Sequence, residues 1–155
     1  MLKFLIPVDG SEPAAETVKQ FRNYLSWIGP EVEIHLLNVQ QRIPYGKRVS
    51  SVIGRDRIAR YQQEDGSAAL KPARALLDKA GIPYQHHIVV GDAAETIIQY
   101  AKEKGCDQIL MGTKGMGSLA GVVMGSVATK VIQLSPVPVL VMKKRRPAAR
   151  SFPRP

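Results

Sequence analysis

The residues best suited to chemistry lie in one glycine-rich segment, residues 112–127. Its glycines at Gly112, Gly115 and Gly125 are followed directly by Ser126. Glycines permit positive φ and let backbone amides approach an anion closely. Ser126 is predicted to begin a helix, and the amides and dipole of a helix start favour phosphate. The segment therefore predicts a phosphate-binding loop, with a flexible surface loop as the alternative.

Two familiar glycine motifs do not account for this segment. A P-loop requires a lysine directly after its second glycine, and Ser118 stands there after Gly117. The dinucleotide fingerprint requires an acidic residue about 20 positions later, and no Asp or Glu follows Asp107. NAD binding is therefore not expected. Lys114 adds a positive charge to the loop that no acidic residue in this half of the chain opposes.

The elements around the loop alternate between short apolar strands and amphipathic helices. Strands are predicted at residues 3–8, 32–39, 84–90, 108–111 and 137–142. Helices are predicted between Ser11 and Gly29, over about 55–79, between Asp92 and Gly105, and over 126–134. Strands that are apolar on both faces are typical of a parallel sheet covered by helices on each side, so the fold class is α/β. Gly66 and Pro72 predict that the second helix is kinked or split.

Three predicted strands end at residues that would share one edge of this sheet. These residues are Asp9, Val39 and Gly112. Doubly wound sheets bind ligands beyond the carboxyl ends of their strands, at the point where the strand order reverses. We therefore expect the binding site at this edge. Asp9 supplies a carboxylate there, although it would also serve simply as a cap for the first helix.

The spacing Gly112-x2-Gly115-x9-Gly125-Ser126 resembles the Gly-x2-Gly-x9-Gly-Ser/Thr motif of ATP-binding universal stress proteins. The resemblance covers nearly the whole folded chain, including residues 6–11, 37–39, 90–92 and 135–141. It implies one domain over residues 1–143, with a doubly wound, five-stranded parallel sheet in the order 3-2-1-4-5 and helices on both faces.

The same resemblance implies a role for each residue of the site. Asp9 would contact the ribose or the adenine, while Pro7 and Val39 would line the adenine pocket. Met111 and Gly112 would flank the ribose. The phosphates would be held by backbone amides and a hydroxyl of Gly115, Gly125, Ser126 and Val127. Lys114 occupies a position where related proteins often carry Arg or His.

The resemblance implies ATP as the ligand, with Mg or Mn held through the phosphates and water. Hydrolysis needs a positioned water, a base and charge stabilisation at the γ-phosphate, and Asp9 is the only carboxylate placed at the predicted edge. We therefore expect a stress-response sensor or switch with at most slow hydrolysis, and enzymatic activity stays open. A dimeric stress-related interaction protein that binds no nucleotide is the alternative.

The fifth predicted strand bears on assembly. Residues 137–142 would form an apolar edge, which invites pairing with another strand, and the resemblance implies an antiparallel homodimer there. No segment approaches the roughly 18 to 20 apolar residues of a membrane span, and the first nine residues do not resemble a signal peptide. We therefore expect a cytoplasmic protein without membrane contacts.

The net charge of +9 is unevenly distributed, because six positive residues lie from Lys143 onward. Residues 144–155 are predicted to form a basic disordered tail. Such a tail either aids solubility or makes weak, salt-sensitive contacts with nucleic acid or anionic lipid. Phe152 is its only aromatic residue, so it lacks the stacking platform of a nucleic-acid-binding module.

The histidines and the cysteine are predicted to be structural. His86 and His87 are adjacent on a predicted strand and would face opposite sides of the sheet, which argues against a shared metal site. His35 also lies on a predicted strand. Cys106, the single cysteine, cannot form an internal disulfide and is expected to be a packed thiol.

Overall fold

The strands form one parallel sheet whose central members are apolar on both faces. The structure, a computed structural model, describes residues 1–43, 54–113 and 124–143. The strands are β1 (Leu2–Pro7), β2 (Val32–Gln40), β3 (Tyr84–Val90), β4 (Gln108–Gly112) and β5 (Val139–Met142). They are all parallel and lie in the order β3-β2-β1-β4-β5. The predicted fold class and strand order are both confirmed.

Helices cover both faces of the sheet in the described ranges. They are α1 (Glu12–Ile28), α2 (Arg55–Lys79), α3 (Ala93–Glu103) and α4 (Ser126–Leu134). Phe4 and Ile6 of β1 pack in one buried cluster with residues of α1 and α2. Leu5, between them, packs in a second cluster with residues of α3 and α4. The alternation of side chains along β1 thus divides the core into two layers, and burying each large side chain contributes about 1.5–3 kcal/mol.

The helix starts follow the capping signals in the sequence. The Ser11 hydroxyl accepts a hydrogen bond from the Ala14 amide at 3.3 Å, at the start of α1. The Asp92 carboxylate accepts one from the Glu95 amide at 3.2 Å, at the start of α3. The N-cap residue of α4 is Gly125, which has no side chain that could cap the helix. The first amides of α4 therefore need partners from elsewhere.

α2 is a single helix, so the predicted split is wrong. Pro72 lies on the exposed side of α2, where water can satisfy the carbonyl that its missing N–H leaves without a partner. Gly66 lies on the buried side, where a Cβ atom would come within 2.6 Å of Ile88 Cγ2 and 2.9 Å of Asn38 Oδ1. Gly66 therefore allows α2 to approach the sheet closely rather than interrupting it.

β5 begins at Val139, two residues later than predicted. The Ile109 amide donates to the Pro138 carbonyl at 3.0 Å, but Pro138 has no N–H with which to extend the ladder. The remaining strand boundaries agree with the predicted ones to within one residue, and those of β3 are identical. The short β5 leaves the sheet with an edge on that side.

Candidate functional site

A pocket opens at the carboxyl edge of the sheet, where β1, β2 and β4 end. All of the predicted site residues that the structure describes line it, namely Pro7, Asp9, Val39, Met111, Gly112, Gly125, Ser126 and Val127. Lys114 and Gly115 lie outside the described residues. The fold thus brings residues from both ends of the domain together at the carboxyl ends of the strands, where we predicted a binding site.

Six further residues line the pocket and were not predicted as site residues. They are Val8, Ala14, Leu37, Ala93, Ile97 and Ala128. All are small or aliphatic and carry no chemical signature of their own. Ala93 and Ile97 follow the turn at Asp92, and their helical spacing is typical of any residues that face a core. Their position directly after a strand of the sheet was the signal that could have placed them in the site.

The turn after β1 is held by bonds to β2. The Val8 amide donates to the Leu37 carbonyl at 2.8 Å. The side-chain amide of Asn38, which is only 2% exposed, donates to the Val8 carbonyl at 2.8 Å. One carboxylate oxygen of Asp9 accepts from the Ser11 amide at 2.9 Å. These bonds fix the backbone on both sides of Asp9 and keep its carboxylate at the pocket.

Gly10 lets the same turn pass close to α2. Its φ is +82°, a left-handed conformation that residues with a side chain rarely adopt. A Cβ atom at this position would lie 3.1 Å from the Cα and Cβ atoms of Ala69. The Asp9–Gly10 turn is therefore supported by β2 on one side and by α2 on the other.

The start of α4 forms the side of the pocket that can bind an anion. The Gly125 amide donates to the Thr113 carbonyl at 2.6 Å, which ties the helix start to the end of β4. Gly125 has φ −71° and ψ 157°, a conformation open to other residues, so glycine is not required here for a positive φ. What glycine provides here is the absence of a Cβ atom beside the first-turn residues Ser126 and Val127, which also line the pocket.

Lys130, one turn further along α4, links this helix to the start of α3. Its Nζ lies 3.3 Å from Glu95 Oε1 and 3.6 Å from Asp92 Oδ1. The hydrogen bond that Lys130 donates to Glu95 and the charge of Asp92 raise the pKa of Lys130. The pKa of Asp92 is lowered, chiefly by its bond from the Glu95 backbone. Two helix starts that line the pocket are thereby joined by ion pairs.

The single cysteine does not line the pocket, in agreement with its predicted role as a packed thiol. Cys106 is buried in the second core cluster, and burial raises the pKa of its thiol, which makes the thiol less reactive. Within residues 1–43, 54–113 and 124–143, no group of three or more His, Cys, Asp or Glu is placed to hold a metal ion.

Comparison with known proteins agrees with this architecture. The model of the universal stress protein family matches residues 1–143. The chain belongs to this family. Universal stress protein MJ0531 of Methanocaldococcus jannaschii is 32% identical over 143 residues, which cover 92% of this chain and 82% of that protein.

Solved structures of family members share the fold. The structure of MJ0577, a universal stress protein of the same organism, aligns with a TM-score of 0.75 at 27% identity, covering 94% of this chain and 98% of that one. An Arabidopsis thaliana universal stress protein family member with AMP bound aligns with a TM-score of 0.66, covering 94% and 93%. At 17% identity, this similarity concerns the fold alone.

The family match ends where the predicted tail begins. Residues 144–155, the predicted basic tail, lie outside the described residues. No helix in the described ranges is long and apolar enough to cross a membrane.

Proposed function

We propose that this universal stress protein binds an adenine nucleotide, with ATP as the favoured ligand, in the pocket at the carboxyl edge. The observation that carries the proposal is the convergence of Pro7, Asp9, Val39, Met111 and the start of α4 on that one pocket. Nucleotide occupancy would change the surface or the assembly of the protein, which would make it a stress-response sensor or switch.

The pocket has separate surfaces for the parts of a nucleotide. Pro7, Val39 and Met111 offer an apolar lining for the flat adenine ring. The Asp9 carboxylate is a hydrogen-bond acceptor for ribose hydroxyls. The first-turn amides of α4, together with the Ser126 hydroxyl, are donors for phosphate, and the helix dipole adds to their attraction.

The choice of an adenine nucleotide draws support from the AMP-bound Arabidopsis relative. The choice of ATP over AMP rests on the glycine-rich segment, where Lys114 and the amide of Gly115 would reach the outer phosphates. Mg or Mn would be held through those phosphates and water. The carboxylate of Asp9 is assigned to binding, so we expect at most slow hydrolysis. We also propose that the protein is cytoplasmic.

Calorimetry with adenosine, AMP, ADP and ATP tests the proposal, with GTP as the control for base recognition. We expect ATP with Mg to bind most tightly, adenosine to bind weakly, and GTP to bind less tightly than ATP. A second experiment complements calorimetry: freshly purified protein is denatured, and the nucleotide that it releases is identified. If no adenine compound binds with or without Mg, an interaction protein without nucleotide becomes the better account.

We also propose that the protein forms a homodimer through β5. The Pro138 carbonyl faces β4, and the backbone groups of successive residues in a strand point alternately to its two sides. The amide of Val141, three residues later, therefore points to the open edge of the sheet. Val141→Pro would remove this donor without breaking the ladder to β4. Sedimentation should show a dimer for the wild type and a monomer for the variant. A wild type that is monomeric at high micromolar concentration would exclude this assembly.

A further inference from the structure

A buried polar cluster lies on the β3 side of the sheet, between β2, β3 and α3. His35 is 2% exposed. Its Nε2 atom lies 2.8 Å from Glu33 Oε1, and its Nδ1 atom lies 2.8 Å from the Tyr100 hydroxyl. An ionised carboxylate only accepts hydrogen bonds, so Nε2 carries the proton and Nδ1 accepts from Tyr100. Both ring nitrogens are thus satisfied while His35 is neutral.

His87 packs beside this network from the edge strand β3. Its ring lies 6.1 Å from the His35 ring, with the two planes 12° apart, and 5.4 Å from the Tyr100 ring. Partial burial lowers the pKa of His87, and the positive charge of Lys104 lowers it further. The next residue, His86, is exposed and instead lies 6.3 Å from the Tyr84 ring, so the two neighbouring histidines have different environments.

The surroundings of His87 do not favour a second positive charge. The titratable and charged groups that face it, directly or through His35, are Glu33 and His35 on β2, Tyr100 on α3, Lys104 at the C-cap of α3, and His86 on its own strand. Glu33 is already bonded to His35 and lies 3.5 Å from the Lys3 ammonium. A proton on His87 would therefore oppose the contact between β3 and α3.

We propose that Glu33, His35, His87 and Tyr100 form an acid-sensitive contact that regulates the nucleotide pocket through α3. Tyr100 contacts the histidines, while Ala93 and Ile97, earlier in the same helix, line the pocket. Acidification loosens the packing of α3 on the sheet and weakens binding at its other end. The effect on binding rests on the function proposed above, but the effect on α3 does not.

The direction of the His87 shift sets the pH range of the effect. Because the pKa of His87 is lowered in the folded protein, the unfolded chain takes up the proton more readily. The lowered pKa does not reduce the free energy of unfolding above the ordinary histidine pKa of about 6.5, and it reduces that free energy as the pH falls below this value. The pKa of Glu33 is also lowered, chiefly by its bond to His35, so its contribution is lost only below the ordinary carboxyl range. Measurements from about pH 7.5 to 5.5 therefore separate the effect of His87 from that of Glu33.

The test compares His87→Gln with His86→Gln, the same change on the exposed neighbour. Adenosine is the probe, because it has no phosphate that titrates in this range. From about pH 7.5 to 5.5 we expect wild type and His86→Gln to lose about two- to fivefold in affinity, and His87→Gln to change little. Equal pH dependence in all three proteins would overturn the proposal.

A second measurement keeps the two proposals separate. Thermal unfolding and amide exchange of α3 over the same pH range need no ligand. Wild type should lose stability and α3 protection on acidification, and His87→Gln should not. If adenosine fails to bind at any pH while this pattern holds, the nucleotide site is wrong and the acid-sensitive contact stands. If His87→Gln does not fold, NMR titration of the wild-type His87 ring decides, because an unshifted pKa would refute the mechanism.

Discussion

Replacing Asp9 with asparagine isolates the charge that the proposed site presents to the ribose. Asp9 Oδ1 accepts from the Ser11 amide at 2.9 Å. An asparagine oxygen accepts the same bond, and the Val8 carbonyl keeps its bond from Asn38. The turn after β1 should therefore keep its conformation. What is lost is the negative charge and the second acceptor oxygen, whose place is taken by an NH2 group that can only donate.

The size of the loss follows from the difference between charged and neutral hydrogen bonds. A bond to a charged group contributes about 1.5–3 kcal/mol, and a neutral bond contributes about 0.5–1.5 kcal/mol. The difference of about 1–1.5 kcal/mol corresponds to about a 5- to 13-fold loss of affinity. Because Asp9 is proposed to contact the sugar or base, the loss should be similar for adenosine, AMP and ATP.

Calorimetry on Asp9→Asn should be paired with Asp107→Asn as a matched control. Asp107 Oδ2 accepts from the Lys3 amide at 2.7 Å, at the amino edge of the sheet. The control makes the same chemical change away from the pocket and should leave every affinity unchanged. A loss confined to ATP would place Asp9 near the phosphates instead. Unchanged binding in Asp9→Asn would refute the assignment of this carboxylate.

Three further outcomes are expected. Gly125→Val should weaken the binding of ATP by more than about 100-fold and that of adenosine much less, because the new side chain obstructs phosphate at the start of α4. Ser126→Ala should weaken the binding of ATP less, by about 10- to 100-fold, and calorimetry distinguishes the two variants. Truncation after Lys144 should leave the melting temperature and ATP affinity unchanged, and a large drop in either would contradict the predicted tail. Gly66→Ala should destabilise the fold by about 1–3 kcal/mol, because the added Cβ meets Ile88; a higher melting temperature would contradict this packing.

The sequence predicted the elements well where local signals act alone. Ser11 and Asp92 fixed two helix starts through their capping side chains. The split that Gly66 and Pro72 predicted in α2 is wrong, because the effect of each residue depends on the face of the helix that it occupies. Gly66 is buried against the sheet and Pro72 is exposed, so neither ends the helix. That information belongs to tertiary packing.

The site was predictable only in part for a similar reason. The glycine spacing and the strand ends located Asp9 and Gly125 in one pocket, but they did not show that Gly125 serves as a helix N-cap without a side chain. The apolar lining residue Ile97 carries no signal apart from its position in space. The network joining His35 to Tyr100 links residues 65 positions apart, and no local pattern indicates such a contact.

NMR titration of isotope-labelled protein with ATP tests the central claim most directly, because it reports which amides sense the ligand. We predict saturable shifts of the Ser126 and Val127 amides and of the residues around Asp9, and little change at His86, away from the pocket. Adenosine should shift the residues around Asp9 while leaving the Ser126 amide nearly unchanged. Saturable binding that leaves the Ser126 and Val127 amides unmoved, or the absence of any shift with ATP, would contradict the proposed nucleotide site.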